Sequence, residues 1–220
     1  MEGATSLAQN FKAMLSPLYI FLFVCMALTA ISEFGPNQWV TIILSSSGAE
    51  PMIILALTTG LMAVARYFGG PVVGKMGQTG VLLISAILAT IGIYMFSTVT
   101  GPMAYVAAVI FAIGISYFWP VMVGAVAQRV PLSSALGMSV IGGVGMFSTA
   151  IFQPIIGSWI DNAMEDNRAA GLAGDALELA AGQDTLEKMI AFPAILIVLF
   201  TILFFWQKNT KQETVVGANH

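Results

Sequence analysis

Histidine and cysteine are nearly absent from this sequence. The one cysteine, Cys25, excludes an internal disulfide, and the one histidine, His220, stands last. Metal sites built on several imidazoles or thiolates are therefore excluded, and zinc-protease and Ser–His protease chemistry goes with them. The string Gly137-Met138-Ser139-Val140-Ile141 is not a nucleophile elbow, because its fifth position is Ile where Gly is needed. Charge is scarce too. Only 9% of the 220 residues are charged, against about 25% in an ordinary soluble domain. The net charge is −3 and there is no basic tract, so a nucleic-acid partner is not expected.

What is present is apolar. Residues of that kind make up 58% of the chain, and the mean hydropathy is +0.89. More than half of a folded surface is already apolar, so a soluble fold of this size cannot hide so much more. The sequence reads as a multi-pass protein of a cell (inner) membrane, with the lipid bilayer as its first partner. The apolar stretch that starts at Pro17 is longer than the core of a signal peptide, and no small-x-small cleavage site follows it. Leu22-Phe23-Val24-Cys25 is a poor lipidation box, since Val precedes the cysteine.

Six spanning segments are expected, over 17–46, 51–73, 80–98, 103–128, 134–160 and 188–206, each near the ~20 residues a bilayer core needs. None alternates like a strand, so the predicted fold is an all-α membrane bundle. The first segment holds Gly35-Pro36, and Pro36 cannot donate to the Ser32 carbonyl, which predicts a kinked or broken helix. Residues 1–16 form a polar N-terminal segment and 207–220 a tail. Lys12, Lys75, Arg129, Lys208 and Lys211 fall on one side of such a topology, which predicts that both termini are cytoplasmic. Arg168, Lys188 and an acidic exterior loop over 161–187 lie on the other side. Within that loop, 168–181 reads equally as a short surface helix or as solvated coil.

The chain also repeats itself. Pro36 and Pro120 are 84 residues apart, while Pro71 and Pro154, and Gly74 and Gly157, are each 83 apart. Segments one to three then correspond to four to six, inserted with opposite topology, as in the inverted repeats of secondary transporters. Depth agrees with that symmetry. Glu33 lies ~24 Å from the start of its helix and its counterpart Tyr117 ~21 Å from the opposite start.

Glu33 is the only acidic residue inside a span. A charged group there is expensive unless it finds a partner, a water-filled cavity or a proton. A carboxyl that binds and releases a proton suits proton coupling; the alternative is an exterior boundary position. Arg66 is the obvious partner, yet depth counting puts it ~16 Å away along the membrane normal. It is therefore expected to snorkel to the cytoplasmic face. Asn37, Gln38 and Trp39 supply amides and an indole after the proline, suited to a hydroxyl-rich solute such as a sugar or nucleoside, or to an interfacial anchor. Tyr117, Phe118, Trp119 and Pro120 form the counterpart break, for binding, gating or plain packing. Gln153, just before Pro154, needs partners for a buried amide. Gly137, Gly142, Gly143 and Gly145 let segment five approach a neighbour closely.

The turn after segment two reads Gly70-Pro71-Val72-Val73-Gly74-Lys75-Met76-Gly77. It resembles the cytoplasmic loop motif of the major facilitator superfamily, G-x-x-x-D-[RK]-x-G. Gly70, Lys75 and Gly77 match; Gly74 stands where the family has its acidic residue, which weakens a charge latch. The resemblance implies one six-helix half of a twelve-helix transporter, most similar to the C-terminal half. It implies that residues 1–16 end a central loop, that Met1 is an internal methionine or a misplaced start, and that an N-terminal half or a second copy completes the molecule. Glu33 would couple protons. Asn37, Gln38, Trp39, Tyr117, Trp119 and Gln153 would meet the solute, and Gly70, Gly74, Lys75 and Gly77 would lie where the halves join. No cofactor, metal or enzymatic activity is expected. A channel or a membrane scaffold on the same bundle is the alternative.

Overall fold

The computed structural model describes the backbone of residues 6–43 and 48–217 and the side chains of residues 6–39 and 48–207. Among these residues the chain is all-helical and has no strand. The helices are α1 (Leu7–Met14), α2 (Pro17–Ile43), α3 (Pro51–Tyr67), α4 (Gly69–Thr98), α5 (Met103–Ile115), α6 (Phe118–Arg129), α7 (Ser134–Ala169), α8 (Asp175–Met189) and α9 (Ala191–Gly217). A 3-10 turn, Pro131–Ser133, precedes α7. Among the described residues five stretches are long and apolar enough to cross a membrane: they lie in α2, α4, α5 with α6, α7, and α8 with α9. The remaining apolar helix, α3, has 17 residues, at the lower limit of a span. The outer surface agrees. Ile84, Ile87, Ile91 and Tyr94 stand exposed along α4, and Ile195, Val198, Ile202 and Phe205 along α9. Stripes of that kind suit a lipid solvent.

Local chemistry starts several helices. Pro17 and Pro51 open α2 and α3, where a missing N–H costs nothing. Ser6 caps α1 in a reciprocal pair: the Gln9 backbone N–H donates to Ser6 Oγ at 3.3 Å, and the Ser6 N–H donates to Gln9 Oε1 at 3.0 Å. The bundle is organised around α2, which packs against α3, α6, α7, α8 and α9. Behind it, α4 and α5 touch backbone to backbone. A Cβ on Gly114 would fall 2.5 Å from the Ala89 nitrogen, and one on Gly92 2.6 Å from Phe111 Cα. Without lipid-independent hydrophobic drive, such close approach is what holds helices together in a membrane.

Several expectations need correction. First, α2 runs unbroken through Pro36, whereas the chain does break before Pro120, between α5 and α6. The two positions paired by the repeat therefore differ in local structure. Second, 161–187 is not a long loop. Helix α7 continues to Ala169, and α8 follows after 170–174. Nor is α8 a surface helix: Leu177, Ala181, Thr185 and Met189 recur every fourth residue and are buried, against α2, α4 and α7. Third, the string at 70–77 is not a turn. It forms the first turns of α4, and the chain bends only at Gly77, whose φ of 72° suits glycine. Fourth, α9 extends beyond residue 206, to Gly217. The end of the first expected span, 44–46, lies outside the described residues, as do the side chains of Lys208 and Lys211.

Candidate functional site

The site is built on a proline. Pro120 has no N–H, so the Ser116 carbonyl lacks its usual donor four residues ahead. In a membrane such a carbonyl must be satisfied from elsewhere. Arg66, in the last turn of α3, supplies the donor: its Nε donates to Ser116 O at 2.9 Å. The next residue reciprocates, with the Tyr117 hydroxyl donating to Ala65 O at 2.9 Å. The α5–α6 break is thereby tied to the end of α3.

Arg66 does a second thing. Its Nη2 donates to Glu33 Oε1 at 2.9 Å, a charge-assisted pair. The Glu33 side chain is 3% exposed and that of Arg66 39%. The other carboxylate oxygen, Glu33 Oε2, is buried with no partner. Arg66 therefore does not snorkel away. The depth count failed because it measured each helix from an opposite membrane face. Helix α2 has 27 residues and so is ~40 Å long, which exceeds a ~30 Å core. Counted instead from the α2–α3 connection, Glu33 lies 10 residues before Ile43 and Arg66 15 residues after Pro51. That offset is ~8 Å. Side chains lean toward the N-terminus of their own helix, so on antiparallel neighbours these two lean toward one another.

A second cluster adjoins the first along α2. Trp39 Nε1 donates to Gln153 Oε1 at 2.7 Å, and Gln153 Nε2 donates to Phe34 O at 3.4 Å. The Phe34 ring meets Trp119 edge to face, with centroids 5.9 Å apart at 81°. Trp119 in turn lies on Gly145, where a Cβ would fall 2.7 Å from its indole. Segment five's glycine thus seats the aromatic group of segment four.

Arg66 and Tyr117 also line an open cleft of about 280 Å³, with Gly70, Gln78 and Pro120. Glu33 sits behind Arg66, outside that lining. Of the expected site residues, Glu33, Trp39, Tyr117, Trp119 and Gln153 fall into the two clusters. Asn37 is half-buried and Gln38 exposed, and no side-chain hydrogen bond of either is seen among the described residues. Gly70 borders the cleft, while Gly74, Lys75 and Gly77 are exposed on α4. Arg66, Ser116 and Gln78 were missed as site residues. The signal for Ser116 was legible: a proline frees the carbonyl four residues before it.

No family model, curated protein or solved structure matches the chain.

Proposed function

We propose that this chain is one half of a secondary transporter of the major facilitator type. It moves a small polar organic solute of sugar or nucleoside class by alternating access, coupled to protons. The Glu33–Arg66 pair carries this reading. A buried carboxylate with a free oxygen stands behind a half-open arginine that borders a cleft. An acceptor group of the solute, arriving in the cleft, competes for the Arg66 donors. Glu33 then loses its counter-charge and takes a proton, since an unpaired buried charge is unfavourable. Departure of the solute reverses both steps. Tyr117 and Trp119 form the wall at the α5–α6 break, and Trp39 with Gln153 ties α7 to the same region. Asn37 and Gln38 offer amides to the solute at the end of α2.

The bare side of α7 supports a partner half or a second copy. Only 17% of its most apolar stretch is buried in the bundle, against 50% for α4 and 56% for α2. Gly70, Gly74 and Lys75, at the start of α4, are the residues that would meet the other half, with the bend at Gly77 beside them.

The test uses the native assembly, purified through a tag after residue 220 and reconstituted into vesicles. A panel of labelled sugars and nucleosides is offered under an imposed pH gradient. We expect at least one solute to accumulate above its external concentration. Uptake that only equilibrates would mean a channel. No uptake of any solute, with Glu33→Leu tolerated in assembly, would mean a scaffold.

A further inference from the structure

A separate polar chain occupies the end of the bundle where α2 begins and α6 ends, level with Gln207 of α9. Arg129 closes α6. Its Nη2 donates to Thr79 Oγ1 at 2.7 Å, and Thr79 Oγ1 donates to Gln207 Oε1 at 2.9 Å. Both bonds end on neutral groups. Arg129 Nη1 and Gln207 Nε2 are buried with no partner. Guanidinium and amide N–H groups can only donate, so both call for an acceptor, and leaving them bare is costly.

Both residues line one cleft of about 520 Å³, together with Gln78, Gln128, Leu18 and Trp206. The lining carries one positive charge and no carboxylate. Leu18 and Trp206 also line a neighbouring groove of about 190 Å³ between α2 and α9, completed by Pro17, Phe21, Ile202 and Leu203. That groove is apolar. The two spaces share a wall, so a donor-rich pocket lies beside an oily one.

We infer that this end of the bundle binds one phospholipid of net negative charge. Its phosphate oxygens accept from Arg129 and Gln207, and one acyl chain lies along the groove between α2 and α9. A phosphate offers several acceptors, which suits two unpartnered donors and two further glutamines. The absence of a carboxylate in the lining leaves nothing to receive a lipid ammonium, which disfavours zwitterionic headgroups. A soluble anion would meet the donors but leave the groove empty. The inference does not rest on transport; it needs only the bundle in a membrane. Arg129 and Gln128 end α6, Leu18 stands at the start of α2 and Trp206 lies next to Gln207, a combination that suits the level where headgroups lie.

The test is native mass spectrometry of the full chain in detergent. Phosphatidylglycerol and phosphatidylcholine with identical acyl chains are titrated separately. Phosphatidylglycerol should bind at least about tenfold tighter, the effect of one charge-assisted contact. Arg129→Gln should shrink that preference to within about threefold. Should that variant fail to fold, Gln207→Leu carries the test and should weaken phosphatidylglycerol by about threefold or more. Equal binding of both lipids by the unaltered protein, or an unchanged preference in the folded variants, would overturn the inference. Excess inorganic phosphate and glycerol phosphate should leave the lipid bound. Displacement by either at the lipid's own affinity would instead mark a site for soluble anions and would also overturn it.

Discussion

Arg66→Met lowers the stability of the folded bundle by about 2–3 kcal/mol, read as a shift in unfolding midpoint in detergent. Removing one member of a fully buried ion pair costs about 3–5 kcal/mol, because the other charge is stranded. The value here falls below that range because Arg66 is 39% exposed and keeps some contact with water. The loss also strips the Ser116 carbonyl of its donor. Glu33→Leu combined with Arg66→Met should cost less than the sum of the two single changes by about 1 kcal/mol or more, since residues in contact are not additive. Additive costs would mean that the 2.9 Å contact does not couple the two residues energetically.

Gly114→Leu prevents the bundle from assembling. The Cβ alone would lie 2.5 Å from the Ala89 nitrogen and 2.9 Å from its Cα, and backbone cannot rotate out of the way. Helices α4 and α5 must separate or slide. Overpacking costs about 1–3 kcal/mol where side chains can give, and here they cannot. The milder Gly114→Ala should sit at the upper end of that range, about 3 kcal/mol. Gly60→Ala is the control, since nothing lies within 4 Å of a Cβ there. The check is the fraction of monodisperse protein after extraction, followed by thermal unfolding of what survives. A Gly114→Leu chain that behaves like Gly60→Ala would show that α4 and α5 do not touch as described.

How much of this was legible beforehand depended on the kind of signal. Long apolar runs announced α2, α5 with α6, and α7, because a lipid solvent leaves few other readings of such runs. Helix α8 was legible only as one of two readings of 168–181, a surface helix or coil, and its burial was not, although Leu177, Ala181, Thr185 and Met189 mark one face. Asp175, Glu178, Asp184 and Glu187 pull its average hydropathy down, and averages do not see faces. The acidic stretch then looked like a loop. Glu33, Trp39, Tyr117, Trp119 and Gln153 could be singled out one at a time, because a polar or aromatic group deep in a span needs a reason. Their partners could not be assigned. Trp39 and Gln153 are 114 residues apart, and only the packing of α7 on α2 makes them neighbours. A depth count from opposite membrane faces separates Arg66 from Glu33, because helix length and side-chain lean both bias it in one direction.

The central claim is that Glu33 carries the proton that moves with the solute. Its most direct test is the number of protons carried per solute by the reconstituted assembly, read with an internal pH dye alongside labelled solute. The account predicts that the unaltered protein moves protons with each solute. It predicts that Glu33→Gln, whose amide still accepts from Arg66 but cannot ionise, exchanges solute across the membrane without moving protons. A Glu33→Gln protein that carries as many protons per solute as the unaltered one would contradict it.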